Sequence, residues 1–202
     1  MTVGIRAYRP DDRADVYEVC RRTADAGGDA TGIYTDDDLM PDIFAGPYLA
    51  FEPELAFVVD VGDRVGGYVL AVSDTRRFVD WFAREWVPRL ARFPHIDPPE
   101  TAQDAMVHLG YSPERMLLPE VDDYPAHLHI DLLPELQGQG FGRELVRTLL
   151  SALRERGIRR VHLAMDPANR PARAFYDRLG FSELPSSTPQ EPVLGIATDA
   201  MV

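Results

Sequence analysis

The chain has 202 residues, of which 45% are hydrophobic, and a formal net charge of −12 at pH 7. This length and composition predict one domain with its own hydrophobic core. The charge argues against a nucleic-acid partner, because a phosphate backbone requires a concentrated basic face, and all 21 basic residues here are arginine. An acidic protein would suit a cationic amine or a basic peptide, although a solvated acidic surface is the commoner outcome.

The composition also bears on compartment and metal chemistry. No apolar run reaches the length of about 18 residues that a membrane span needs, and the first residues, MTVGIRAYRP, lack a basic leader and an apolar segment. We therefore expect a cytoplasmic protein with no membrane partner. The single cysteine, Cys20, is expected to be a small buried side chain, and the histidines show no metal-ligand spacing, so no metal site is predicted.

The first half of the chain predicts two strands in a hairpin, with a strand and a helix before it and a helix after it. In chain order these are a strand over 5–8, a helix that ends at Gly27-Gly28, the hairpin strands 56–61 and 65–72, and a helix over 74–94. Pro88 predicts a kink or break in the last of these helices. Residues 94–125 are rich in proline and acid and are predicted to be an irregular insertion with a short helix around 103–109.

The second half alternates strands and helices. The predicted elements are a strand over 126–133, a helix ended by Gly157, a strand over 159–166, a helix ended by Gly180, and strands over 181–184 and 191–198. Between the first strand and the first helix stands QGQGFG, with glycines at 138, 140 and 142. Such a loop lets the backbone turn sharply and points the first amides of the helix at one spot, which makes an anion site.

Two nucleotide loops are excluded at this position. The nucleoside-triphosphate loop requires a lysine, and this chain contains none. The dinucleotide fingerprint requires a third glycine where Arg143 stands and an acidic residue near position 162, which is His162.

The loop fits the pattern Gln/Arg-x-x-Gly-x-Gly/Ala over residues 137–142, which resembles the pyrophosphate loop of the GCN5-related N-acetyltransferase (GNAT) superfamily. A second block, NRPARAFYDRLGF, resembles the superfamily's segment Asn-x-x-Ala-x-x-Phe-Tyr-x-x-x-Gly-Phe, and it follows at the usual separation. The opening segment IRAYRPDDRADVYEV resembles the first strand and helix of the superfamily. The resemblance thus covers most of the chain.

This resemblance implies an α/β (α+β) fold over 1–202: a mixed, mostly antiparallel sheet of six to seven strands, splayed at the cofactor site and flanked by helices. It implies acetyl-CoA as the cofactor, its pyrophosphate on the glycine loop and its pantetheine arm beside the 127–133 strand. The implied cofactor contacts are Leu132, Leu133, Gln137, Gly138, Gln139, Gly140, Phe141, Gly142, Arg143, Asn169, Ala172 and Tyr176.

Residues 36–59 resemble a narrower group. The runs Gly-Pro-Tyr-Leu and Glu-Pro-Glu-Leu, with the long helix and proline-rich loop after them, look like the acetyltransferase-like domain at the C-terminus of O-GlcNAcases and its bacterial homologues. The glycosidase domain of those larger proteins is absent from this sequence, so glycoside hydrolysis is not implied.

Acetyl transfer to an amine needs a proton donor for the leaving thiolate, an oxyanion contact and a base. The resemblance implies Tyr176 as the donor, with packing of its ring as the alternative, and a strand amide near Ile130 or Leu132 as the oxyanion contact. His127, His129 and Asp131 share one face of their strand, and His129 or Asp131 is our candidate base. The alternative is a hydrogen-bonded polar stripe. His162 is expected to be structural.

Several hypotheses stay open. The acceptor amine is unknown, and Glu120, Asp122 or Asp123 either line its entrance or form a solvated face. The protein is either an active N-acetyltransferase on a small or peptidic amine, or an acetyl-CoA-binding protein without efficient transfer. It is expected to be a monomer or a homodimer, and the helix with Trp81 and Trp86 is either core or an assembly surface.

Overall fold

The computed structural model describes residues 3–202 and contains one seven-stranded sheet in the order β1-β2-β3-β4-β5-β7-β6. The strands are β1 Gly4–Ala7, β2 Ala56–Asp60, β3 Val65–Val72, β4 Ala126–Leu132, β5 Arg160–Ala164, β6 Ser182–Glu183 and β7 Val193–Ala197. All neighbouring strands are antiparallel except β4 and β5, which are parallel. The predicted fold class is confirmed.

Seven α-helices accompany the sheet in the described residues. They are α1 Arg13–Arg21, α2 Leu39–Phe44, α3 Gly46–Phe51, α4 Thr75–Trp81, α5 Ala102–Tyr111, α6 Phe141–Glu155 and α7 Arg170–Leu179. The insertion at 94–125 holds α5 and a 3-10 turn, Pro113–Met116, and is therefore more ordered than its composition indicates. None of the helices has the length and apolar character that crossing a membrane would require.

The sheet divides the core into two layers because side chains alternate between its faces. On β3, Tyr68 and Leu70 face a cluster built with α1 to α4, whereas Val69 and Ala71 face a cluster built with α6 and α7. Every residue of β3 is buried, since this strand has neighbours on both edges and helices on both faces.

The sheet parts between β4 and β5. Only two residue pairs join these strands, Ala126 with Val161 and His127 with His162, and the strands separate from there on. The backbone groups at the end of β4 that face β5 consequently have no strand partner. A cleft opens where the two strands separate.

Two predicted helices end earlier than their patterns indicate. α1 stops at Arg21 rather than at Gly27-Gly28, because the Thr23 hydroxyl donates to the Val19 carbonyl at 2.8 Å and Ala26 takes a positive φ of 48°. α4 ends at Trp81, followed by a π turn over Phe82–Trp86 and a 3-10 turn over 87–92. Pro88 accounts for this change, since its ring clashes with the carbonyl four residues earlier and it has no amide hydrogen.

The two tryptophans after β3 belong to the core. Trp86 is 3% exposed and its indole N–H donates to the Asp42 carbonyl at 2.7 Å. Trp81 packs against the same cluster and lies 5.8 Å from Trp86, measured between ring centroids. An assembly surface built on Trp86 is therefore wrong, because the side chain is already buried within the chain.

Leu149 on α6 generates a prediction for stability. Its side chain is fully buried against the sheet, so Leu149→Ala should lower the free energy of unfolding by about 2–5 kcal/mol through lost burial and the cavity left behind. Urea denaturation followed by circular dichroism measures this. Leu117→Ala is the matched control, because Leu117 is 37% exposed and its loss should cost under about 1 kcal/mol. Equal losses would contradict the packing described.

Candidate functional site

A cleft of about 480 Å³ opens where β4 and β5 part. Its walls come from β4, the glycine loop, α7 and the segment after α1. The predicted site residues that line it are Asp131, Leu132, Gln137, Gly138, Gly140, Gly142, Arg143, Asn169, Ala172 and Tyr176. Four others predicted for the site do not line it: His129, Leu133, Gln139 and Phe141.

The glycine loop forms one end of the cleft. Gly138 and Gly140 have φ of 74° and 92°, and a Cβ at either position would meet no atom within 4 Å, so the loop is open toward solvent. The amides of residues 138–143 donate to no acceptor among residues 3–202. Six consecutive free donors at the first turn of α6, with the positive end of the helix dipole behind them, make an anion cradle.

The free edge of β4 runs from this loop into the cleft. The Leu133 amide donates to the Gly66 carbonyl at 3.0 Å, and its side chain is wholly buried. Because backbone groups alternate between the two edges of a strand, Ile130 and Leu132 turn their amides and carbonyls toward the cleft. The Leu133 backbone therefore faces β3 and not the cleft, in contrast to the contact predicted for it, whereas Ile130 lines the cleft.

Gln137 contributes to the shape of this edge through its side chain. Its amide nitrogen donates to the Leu132 carbonyl at 2.9 Å and so holds the loop against the strand. Gln139 similarly donates to the Glu135 carbonyl at 2.5 Å. For Gln139, the part of the residue that faces an anion is thus its free backbone amide, not its side chain.

Asn169 fixes the opposite wall at the start of α7. Its side-chain oxygen accepts from the Ala172 amide at 3.1 Å, which caps the helix. A Cβ on Gly27 would lie only 3.2 Å from the Asn169 amide nitrogen, so Gly27 permits the segment after α1 to approach α7 closely. These two elements meet across the cleft and narrow it.

Tyr176 lines the cleft from α7 and is 7% exposed. Its hydroxyl has no hydrogen-bond partner among residues 3–202. Burial, and secondarily the charge of Asp131, raises the pKa of this hydroxyl far above neutral pH. The side chain therefore keeps its proton and can donate it as a hydrogen bond into the cleft.

Asp131 lies at the end of β4 and reaches the cleft from its other side. The Tyr68 hydroxyl donates to Asp131 Oδ2 at 2.6 Å, and His129 Nε2 lies 3.4 Å from the same oxygen. Burial raises the pKa of Asp131, against the opposing effects of His129 and of the hydrogen bond from Tyr68. The structure thus brings the two candidate bases together.

His127 belongs to a buried hydrogen-bond chain rather than to the cleft. The Thr75 hydroxyl donates its one hydrogen to the Pro125 carbonyl at 2.8 Å, so it must accept from His127 Nδ1–H, also at 2.8 Å. His127 Nε2 then carries a lone pair and accepts from the Tyr48 hydroxyl at 2.8 Å. Both ring nitrogens are satisfied with the imidazole neutral. Burial, with smaller effects of His162, Arg115 and His129, lowers the pKa of His127 well below its usual range.

The remaining polar candidates are structural or peripheral. His162 is 3% exposed and bonds the Tyr124 carbonyl through Nδ1 at 2.9 Å. Glu120 accepts from the Ser186 amide at 2.8 Å, and Asp122 pairs with Arg76 at 2.9 Å. Asp122 and Asp123 are exposed, and none of the three acidic residues lines the cleft.

Sequence analysis missed part of the site. Thr23, Ala26 and Gly27 enter it because α1 ends early, and the sequence pattern continued the helix through them. Tyr68 lies in a predicted strand, but the sequence did not predict that its hydroxyl would donate to Asp131. The register of β3 on β4 pairs these two residues directly, which a strand prediction alone does not supply.

The sequence also matches a known protein family. Residues 28–181 match the model of the acetyltransferase (GNAT) family. The chain belongs to this family, whose members are acyl-CoA-dependent N-acetyltransferases. The motifs at the glycine loop and at α7 therefore identified the family correctly.

Individual relatives agree with this assignment. The chain is 27% identical to Protein O-GlcNAcase of Rattus norvegicus over 187 residues, which is 89% of this chain and 20% of the relative. It thus spans about a fifth of the length of that protein, and the predicted resemblance to the acetyltransferase-like region of O-GlcNAcases is confirmed.

Solved structures also resemble the chain. The crystal structure of SsHAT has 51% sequence identity to this chain and a TM-score of 0.92. The similarity covers 98% of this chain and 99% of the SsHAT chain. The PaiA N-acetyltransferase of Thermoplasma acidophilum, solved with coenzyme A, has 14% identity, a TM-score of 0.60, and coverage of 98% and 99%. The latter likeness shows the fold alone.

The neutral state of His127 predicts a pH dependence of stability. The folded protein disfavours a proton on His127, whereas the unfolded chain binds one below about pH 6.5. The free energy of unfolding should therefore keep its full contribution from His127 above that pH and fall as the pH is lowered. His127→Gln, which can keep both hydrogen bonds, should reduce this fall. Urea denaturation between pH 7.5 and pH 5 measures it, with His95→Gln, on an exposed ring, as the control. An unchanged slope in His127→Gln would contradict the neutral state assigned to His127.

Proposed function

We propose that the protein transfers an acetyl group from acetyl-CoA directly to a primary amine of a small molecule or peptide. The observation that carries this proposal is the row of six free amides over 138–143 at one end of a cleft whose wall includes a protonated tyrosine, Tyr176. An anion cradle and a proton donor on one cleft are the two features that this reaction needs from the chain.

The residues fit the cofactor. The open φ-positive glycines at 138 and 140 leave room for a pyrophosphate against the amides, and Arg143 and Arg178 add positive charge to the cleft. The free backbone groups of Ile130 and the amide of Leu132 can complete hydrogen bonds with an amide-bearing arm, whereas the Leu132 carbonyl already accepts from Gln137. When bound, acetyl-CoA would supply the activated acetyl group.

The chain's own groups then divide the work on protons and charge. His129, or Asp131 beside it, would accept the proton of the amine, and Asp131 Oδ2, which lies 3.4 Å from His129 Nε2, would stabilise the charged imidazole. A cleft-facing amide of Ile130 or Leu132 would donate to the acetyl oxygen. Tyr176, which keeps its proton at neutral pH, would donate to the departing sulfur.

A second candidate function is acetyl-CoA binding without efficient transfer. One observation favours it: Asp131 Oδ2 is already occupied by the Tyr68 hydroxyl and by His129, so neither candidate base is unengaged. The two functions share the cofactor cleft and differ only in proton removal from the amine.

Cofactor binding is tested by calorimetric titration. We expect acetyl-CoA to bind in the micromolar range and NAD not to bind. Gly140→Val should abolish the heat, because a β-branched residue does not adopt a φ of 92° without strain. Gly4→Ala, at an open position with no such φ, is the control. Absence of heat with acetyl-CoA for the unaltered protein would reduce the assignment to fold alone.

Tyr176→Phe tests the proton donor. Phenylalanine keeps the ring packing and removes the hydroxyl, so we expect kcat to fall about 10²-fold while the affinity for acetyl-CoA stays within about threefold. Coenzyme A release with an amine panel gives kcat, and calorimetry gives the affinity. A kcat within twofold of the unaltered enzyme would show that the tyrosine only packs.

The base is tested by companion variants in the same assay. His129→Ala and Asp131→Asn should each lower turnover, and turnover that survives both would contradict the assignment. If the unaltered protein binds acetyl-CoA and acetylates no amine in the panel, the second candidate function is supported.

A further inference from the structure

Arg115 lies near the candidate bases and outside the cofactor cleft. It stands in the 3-10 turn Pro113–Met116 of the insertion. Its guanidinium carbon is 5.6 Å from the ring centre of Phe44, and that ring centre is 5.9 Å from the ring centre of His129. The Phe44 ring thus lies near both Arg115 and His129, and Arg115 does not line the cofactor cleft.

The charge of Arg115 is not neutralised within the chain. Its Nε donates to the Leu109 carbonyl at 3.1 Å, but its two terminal nitrogens have no hydrogen-bond acceptor and no ion-pair partner among residues 3–202. Glu191 and Glu114 are the carboxylates that influence it, and both lie beyond ion-pair distance. Burial outweighs them and lowers the pKa of the guanidinium.

An unpaired and partly buried guanidinium is unfavourable unless an anion binds it. A half-buried cation loses hydration, and the chain supplies no carboxylate in return. The planar guanidinium retains donors that match a carboxylate or phosphate in a two-point contact. Several other arginines are ion-paired, as Arg92 is with Asp42 at 2.8 Å, and the two that line the cofactor cleft, Arg143 and Arg178, are exposed to solvent.

We propose that the acetyl acceptor carries an anionic group, a carboxylate or a phosphate, besides its amine, and that Arg115 binds this group while the amine lies at His129 and Asp131. The inference rests on the proposed function and narrows its substrate class. Asp131 lies beside His129, and the Phe44 ring lies near both His129 and Arg115, so an acidic and a basic group stand in one region, which suits a zwitterion. A polyamine carries no anionic group that Arg115 could bind. The net charge of −12 attracts a polyamine at long range but does not supply this contact.

A structural role for Arg115 makes a different prediction. The contacts with the Leu109 carbonyl and with Phe44 hold the insertion against α2, so loss of the side chain for that reason would impair all acceptors alike. If Arg115 instead binds an anionic group of the acceptor, loss of its side chain would impair only acceptors that carry such a group. Matched pairs of amines separate the two explanations.

The first measurement is turnover with two matched pairs, alanine against alaninamide and phosphoethanolamine against ethanolamine. We expect the anionic member of at least one pair to have the higher kcat/KM. Arg115→Gln should lower that value about 10- to 100-fold, mainly through KM, and leave the uncharged member within twofold, since a charge-assisted hydrogen bond contributes about 1.5–3 kcal/mol. Arg115→Lys should recover part of the loss, and Arg84→Gln, an exposed arginine with the same charge change, should have no effect.

The second measurement keeps the inference testable if turnover fails. The same four amines are titrated calorimetrically into the protein saturated with coenzyme A. Binding of alanine or phosphoethanolamine that is lost in Arg115→Gln supports the site even without acetylation, in which case only the transferase proposal fails. Preference for the uncharged members, equal losses within a pair, or no binding of either anionic amine overturns the inference. Thermal melting confirms that each variant is folded.

Discussion

The rest of the site depends on the parting of β4 and β5 after two residue pairs. Strands normally satisfy each other's backbone groups, so an open edge inside a sheet has an energetic cost unless water or a ligand completes it. Here the edge at Ile130 and Leu132 leads from the free amides of the glycine loop to Tyr176 and Asp131. One break in pairing thus creates both the cleft and the alignment of its chemical groups.

β4 carries two kinds of polar residue on one face, and their surroundings separate them. Toward its start, His127 is enclosed by Thr75 and Tyr48 and stays neutral. Toward its open end, His129 and Asp131 share Tyr68, and Asp131 reaches the cleft. The same spacing in sequence therefore yields a buried structural group at one position and candidate proton acceptors two and four residues later, because only the second half of the strand lacks a parallel neighbour.

The insertion and the segment after α1 contribute residues that lie outside the two sequence motifs. The early end of α1 brings Thr23 and Gly27 to the cofactor cleft. The turn after α5 places Arg115 against Phe44. Both segments are irregular, and irregular backbone carried on a rigid sheet commonly supplies specificity in enzymes.

Local patterns in the sequence identified the family, the strands, the glycine loop and most of the helices, through periodicity, helix-ending glycines such as Gly157 and Gly180, and motif spacing. They did not predict the short helices α2 and α3. The sequence also placed His129 and Asp131 on one face of a strand. Only the tertiary structure decided that Tyr68 meets Asp131, that Leu133 points into β3 and that Arg115 stands near His129. These contacts join residues tens of positions apart, and they depend on strand register and loop packing, which local patterns do not encode.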